Sequence, residues 1–134
     1  MKLSVVICTH NPRVDYLSRT LAGLRAQTHP LSAWELLVID NASREPLAGR
    51  LDLSWHPTAR IIAEPQLGLT PARLRGIAEA RGDLLVWVDD DNILAPDYLE
   101  CAAYLSREWP QLGVWGCGDF TPEWEELPAP ILSP

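Results

Sequence analysis

Four short runs of apolar and β-branched residues punctuate the chain: Leu3-Ser4-Val5-Val6-Ile7-Cys8, Glu35-Leu36-Leu37-Val38-Ile39, Arg60-Ile61-Ile62-Ala63 and Leu84-Leu85-Val86-Trp87-Val88. Their length and composition predict strands. They are nearly continuous in apolarity rather than alternating, which is the pattern of parallel strands covered by helices on both faces. Between them the period changes. Leu17, Leu21 and Leu24 recur at helical spacing from about residue 13 to 27, and His29-Pro30 ends that pattern. A second helix is expected to open at Thr70-Pro71, a cap residue followed by proline at the first helical position, with Leu74, Ile77 and Ala78 as its apolar stripe and Gly82 closing it. A third is expected from Pro96, with Leu99, Ala102 and Leu105 inward, stopping before Pro110. Residues 43–57, which hold Pro46, Gly49 and Pro57, fit either a short helix or a loop. The alternation of strand and helix predicts an α/β, Rossmann-like fold with a mainly parallel sheet.

A chain of 134 residues fits one domain. Residues 1–118 carry the α/β pattern. Residues 119–134, rich in proline and glutamate, read as a connecting tail. No stretch approaches the roughly 20 apolar residues of a membrane span, and the start of the chain lacks the layout of a signal peptide. A cytoplasmic protein is expected, with peripheral attachment to a membrane left open. Cys8, Cys101 and Cys117 are too few and too widely spaced for a disulfide framework or a paired zinc site, and are expected to be buried, reduced thiols. The net charge of −7 and the scattered arginines argue against nucleic acid as a partner. An acidic protein still binds phosphate when a divalent cation screens the contact.

In open parallel sheets, ligands collect at the carboxyl ends of the strands. The four strands run into Thr9-His10-Asn11, Asp40-Asn41-Ala42-Ser43, Glu64-Pro65 and Asp89-Asp90-Asp91-Asn92. Adjacent carboxylates repel, by about 4 kcal/mol for two unit charges ~4 Å apart at an effective dielectric near 20. A hard cation such as Mg²⁺ or Mn²⁺ would offset that. If the strand continues, Asp89 and Asp91 face one side and Asp90 the other. A solvated acidic turn accounts for the run equally well when it is taken alone.

The set of segments resembles the family 2 glycosyltransferases, which have the GT-A fold, over residues 3–99. Residues 4–11 resemble that family's opening strand and loop, and residues 35–43 its second strand and the D-x-S that follows. Gly68-Leu69-Thr70-Pro71-Ala72-Arg73-Leu74-Arg75-Gly76-Ile77 resembles its "G…ARN.GI" helix, and Val88-Asp89-Asp90-Asp91-Asn92 its "LDxDD" metal motif. The resemblance implies that Thr9 lies against the nucleotide, Asp40 accepts a hydrogen bond from the base, Asp89 contacts ribose or sugar, and Asp91 binds Mn²⁺ or Mg²⁺ on the diphosphate, with Asp89 as its companion. Arg73, expected in the first turn of its helix, would add positive charge beside backbone N–H groups. Leu74 stands where the family usually has Asn, which puts a polar contact from that position in doubt.

The implied reaction is inverting transfer of a sugar from a nucleoside diphosphate donor of UDP, GDP or dTDP type to a saccharide or lipid-linked acceptor. It needs a general base. In the family that base comes from a later, acceptor-binding half, and the fold is expected to be truncated before that half. Asp119, Glu123, Glu125 and Glu126 are candidates that spacing does not separate. The alternative is a nucleotide-sugar-binding module that relies on another chain for the acceptor site, and an exposed sheet surface would then favour self-association. A dinucleotide-binding domain is disfavoured because no G-x-G-x-x-G follows the first strand. An aspartyl phosphotransfer domain built on Asp40 leaves the acidic run and Arg73 unexplained. His10, His29 and His56 lack clustered partners at ligand spacing. Trp87, Trp109 and Trp115 read as core, and Trp124 as a candidate sugar-stacking platform.

Overall fold

The computed structural model describes residues 2–116, 118 and 121–123. Four strands, β1 (Leu3–Thr9), β2 (Trp34–Asn41), β3 (Arg60–Glu64) and β4 (Leu84–Val88), form one sheet in the order β3-β2-β1-β4. Every pairing is parallel. Three helices, α1 (Val14–Arg25), α2 (Leu69–Glu79) and α3 (Tyr98–Glu108), connect or follow them. Central β1 and β2 are buried almost throughout, whereas edge strands β3 and β4 are only partly covered. The parallel α/β reading of the sequence therefore holds.

Alternation along the strands divides the core in two. Leu3, Val5 and Ile7 of β1, Leu36 and Val38 of β2 and Val86 and Val88 of β4 face α1 and α3, meeting Leu17, Leu21, Leu24, Leu99 and Ala102. Val6, Leu37 and Ile39 face the other way, onto Ala72 of α2. Residues 42–59 form no regular helix, but Leu47 and Leu53 are buried in the first of these cores. There His56 packs its ring 4.2 Å from Trp34 and 5.4 Å from Trp55, centroid to centroid. Burial lowers the His56 pKa, and the charge of Lys2 adds to that, against an opposing pull from Glu35.

Several expectations need correction. Helix α2 opens at Leu69, with Gly68 before it at φ 140°, a conformation only glycine adopts freely. Pro71 thus falls later in the first turn, where its missing N–H still removes no intrahelical bond. The face of α2 that packs is Ala72 and Gly76, while Leu74 (60%) and Ile77 (51%) are exposed, as is Ala78. Small residues win because they let the helix lie close on β1: a Cβ at Gly76 would come 2.7 Å from Val6 Cγ1. In α3, Ala103 is buried and Leu105 is exposed. Trp87 (38% exposed) lies on edge strand β4, Trp109 is exposed and Trp115 half-buried, so none is core. Cys8 is half-buried and Cys101 exposed, both free thiols. Cys117, Asp119, Trp124, Glu125 and Glu126, with most of the tail, lie outside the described residues. Among the described residues no helix is long and apolar enough to cross a membrane.

Candidate functional site

The strand order reverses between β1 and β4, so the loops leaving these strands flank the switch point where parallel sheets receive ligands. Register fixes what meets there. Thr9 pairs with Asp40, and carrying the register one and two steps past the last β1–β4 pair, Ile7 with Val88, sets Cys8 beside Asp89 and Thr9 beside Asp90. Thr9 is buried and its hydroxyl donates to Asp90 Oδ2. From α1, buried Thr20 donates its hydroxyl to the Asp90 carbonyl at 3.0 Å. Strand β4 ends at Val88 and residues 90–91 form a turn, closed by Asn92 N–H on the Asp89 carbonyl at 3.2 Å. The alternation expected through Asp91 therefore stops short of it. Asp89 and Asp91 are both exposed.

Asp40 is 6% exposed. Its Oδ2 accepts the Leu47 N–H at 2.8 Å, while its Oδ1 is buried with no hydrogen-bond partner among the described residues. Buried polar atoms are rarely left so, because each costs on the order of 1–3 kcal/mol unless something satisfies it.

Around Asp40 the loops are tied together. Nδ1–H of His10 donates to the Asn41 carbonyl at 2.7 Å, which leaves Nε2 to accept the Asn11 amide at 2.7 Å. Asn11 N–H reaches Ser43 Oγ at 3.0 Å, and Asn11 Oδ1 takes the Arg44 N–H at 2.9 Å. Asn11 (φ 47°) and Ala42 (φ 52°) both occupy the left-handed region, backbone strain of the kind that gathers at ligand sites.

On the α2 side of the edge, Cys8, Thr9, His10, Asn41, Leu69 and Ala72 line a cleft of about 130 Å³. Burial pushes the Cys8 thiol up to about 11, with the Arg73 charge pulling it down and Asp89 pushing it up, so Arg73 and Asp89 share this neighbourhood. Because α2 starts at Leu69, Arg73 falls in the second turn rather than the first; it is exposed, its guanidinium carbon 5.8 Å from the Trp87 ring centroid. Asn41 is buried with its amide fully used: Nδ2 donates to the carbonyls of Glu64 (3.2 Å) and Gln66 (2.7 Å), and Oδ1 accepts the Gly68 N–H (2.8 Å). It thereby fixes the turn that launches α2.

The structure thus brings Thr9, Asp40, Arg73, Asp89 and Asp91 to one edge of the sheet, with Asp40 and Thr9 buried and the other three exposed. Sequence reasoning missed the parts played by Asn41, Thr20 and Asp90. Register arithmetic on β1 and β4 would have pointed to Asp90. Nothing in the sequence marks Thr20, which reads as one more helix residue. Among the described residues no three His, Cys, Asp or Glu side chains form a ready-made metal cage.

Comparison with known proteins bears on the fold and the family. A glycosyltransferase of Bacillus subtilis, the uncharacterized YwdF, is 32% identical over 100 residues, which cover 75% of this chain and 36% of that protein. The crystal structure of S. aureus TarS 1–349 superposes with a TM-score of 0.72 at 24% identity, covering 81% of this chain and 33% of that one. Mannosyltransferase PcManGT from Pyrobaculum calidifontis, solved with GDP-Man and Mn²⁺, gives 0.68 at 25% identity over 78% of this chain and 32% of that one. The chain spans about a third of the length of these proteins. The family model for Glycosyl transferase family 2 matches residues 4–120, nearly the whole α/β region, and the chain belongs to that family.

Proposed function

We propose that this chain binds the nucleoside diphosphate sugar donor of a sugar-transfer reaction at the carboxyl edge of its sheet. The observation that carries this reading is the buried, unpartnered Oδ1 of Asp40 at that edge. An ionised carboxylate offers acceptors only, so the group that satisfies it is a donor, as a ring or exocyclic N–H of a base is. TarS has also been solved with UDP-GlcNAc, with a TM-score of 0.68 at 22% identity, and PcManGT with GDP-Man, so the fold accommodates donors of this class.

Arg73 supplies positive charge at the same edge for the diphosphate. Asp91, with Asp89, would hold Mn²⁺ or Mg²⁺ there. Two exposed carboxylates, with no protein cage among the described residues, suit such a cation, which keeps few protein ligands and takes the rest from phosphate and water. Once bound, the metal would neutralise charge on the leaving diphosphate. What the chain's own residues do is orient: Asp40 fixes the base, Arg73 the phosphates, and the tied loops 10–13 and 41–47 keep the two in register. Inversion at the anomeric carbon, a saccharide or lipid-linked acceptor, and a cytoplasmic setting belong to the same reading. The base that deprotonates the acceptor is left unassigned. Glu123 is held by Arg19 at 2.7 Å on the outside of α1, and Asp119, Glu125 and Glu126 lie outside the described residues.

A second reading, a donor-binding module whose acceptor site comes from another chain, is favoured by the exposed apolar face of α2 and β4. Titration with UDP-GlcNAc and GDP-mannose, with and without Mn²⁺, tests what the two readings share. Asp40→Ala is expected to weaken binding about tenfold or more with or without metal, and Asp91→Ala to remove the Mn²⁺ enhancement. Metal-independent binding unchanged by Asp91→Ala would sink the metal assignment. Transfer or hydrolysis by the isolated chain then separates enzyme from module.

A further inference from the structure

Asp90 occupies the middle of the acidic run, between two exposed carboxylates. It is the member of the run that the fold grips. Its side chain takes the hydroxyl of buried Thr9 on β1, and its carbonyl takes the hydroxyl of buried Thr20 on α1. The turn is thus tied to a central strand on one side and to a packed helix on the other. We infer that Asp90 is a positioning residue, an anchor that sets where Asp89 and Asp91 stand at the sheet edge rather than a third metal ligand. This rests on the donor-binding reading above.

The physical reason lies in the charge of the run. Three neighbouring carboxylates repel, and beyond Val88 no strand pairing holds them. Without an anchor the turn would relax to spread its charges, and a cation site would have to be assembled at the moment of binding, at a cost in affinity. With the anchor, one carboxylate is spent on the fold so that two are preset. The Thr9 hydroxyl donates its hydrogen bond to Asp90, so toward a ligand its oxygen can only accept.

An anchor and a ligand respond differently to the amide. Asp90→Asn and Asp90→Ala remove the same charge, but only asparagine keeps an oxygen able to accept the Thr9 hydroxyl. Mn²⁺ affinity is measured by the electron paramagnetic resonance of free Mn²⁺, titrated into the full chain with UDP present, and UDP affinity is measured separately without metal. Asp90→Asn is expected to bind Mn²⁺ several-fold better than Asp90→Ala. Thr20→Val, which cuts the second tether without touching charge or ligand, is expected to weaken Mn²⁺ binding severalfold. Metal-free UDP affinity should change less than Mn²⁺ affinity in all three. If asparagine is as poor as alanine, or if Thr20→Val binds Mn²⁺ as well as the unaltered chain, the anchor role is overturned. Should Asp90→Ala not fold, the comparison of Thr20→Val with the unaltered chain decides alone. Failure of the donor-binding reading shows up elsewhere, as an unaltered chain that binds neither UDP nor Mn²⁺, and it takes this inference with it.

Discussion

Glu35 shows how far a single residue can carry the fold away from the site. It is 2% exposed at the start of β2, on the edge of the sheet opposite Asp40. Its Oε1 accepts the Ser4 hydroxyl at 2.7 Å and the Arg81 N–H at 2.6 Å, and its Oε2 faces Arg60 at 3.3 Å. Arg60 in turn reaches the Glu79 carboxylate at 3.0 Å and its carbonyl at 2.6 Å. Burial pushes the Glu35 carboxyl up, but the hydrogen bonds from Ser4, Arg81 and Arg60 outweigh it and hold the group below its ordinary value. A carboxyl depressed in the folded state stabilises above its unfolded pKa, near 4.3, and that contribution fades as pH falls through the folded value. Urea unfolding at a series of pH values should therefore show the unaltered chain losing stability in acid. Glu35→Gln should be less stable at neutral pH by about 2 kcal/mol and flatter with pH in the acid range. Equal stability of the two at pH 7 would remove Glu35 from this role.

At the scale of elements, the junction of α2 with β4 is set by backbone contact. A Cβ on Gly82 would lie 2.6 Å from the Lys2 carbonyl oxygen and 2.7 Å from both the Leu3 carbonyl carbon and the Ser4 nitrogen. None of these is a side-chain tip that swings away. The Gly82 N–H is moreover spent on Ser4 Oγ at 2.8 Å. Gly82→Ala should cost about 2–3 kcal/mol in thermal or urea unfolding, as overpacking of a tight contact does. A loss below about 0.5 kcal/mol would mean that the close approach has slack. The strands were legible in the sequence because each is a dense apolar run, although only β1 and β2 are covered nearly throughout. The face of α2 was not. Leu74 and Ile77 repeat at helical spacing, but Ala72 and Gly76 repeat at it too, and periodicity cannot tell which pair the sheet accepts. The placement of Asp40 was legible because type and position coincide near the end of β2. The site was illegible where a role depends on where a strand stops, as with Asp90, or on a helix packed beside it, as with Thr20.

For the whole molecule, the two faces of the sheet are unequally covered. One is closed by α1, α3 and the loop bearing Leu47 and Leu53, while among the described residues the other receives α2 alone. On that side Leu69 (56%), Leu74, Ile77 and Trp87 stand exposed, and β4 is an edge strand whose outer backbone groups have no strand beside them among the described residues. An apolar surface next to an open strand edge invites association. The 134-residue chain is therefore expected to self-associate in sedimentation velocity, with larger species growing as concentration rises. Leu74→Lys with Ile77→Lys should shift it toward monomer. Because both side chains already lie in solvent, the double variant should keep its unfolding free energy within about 1 kcal/mol, roughly 0.5 for each surface substitution. A monomer at every concentration reached, or a double variant that associates as strongly as the unaltered chain, would show that this face is tolerated in water. The exposed face would then lend no support to the reading in which another chain completes the acceptor site.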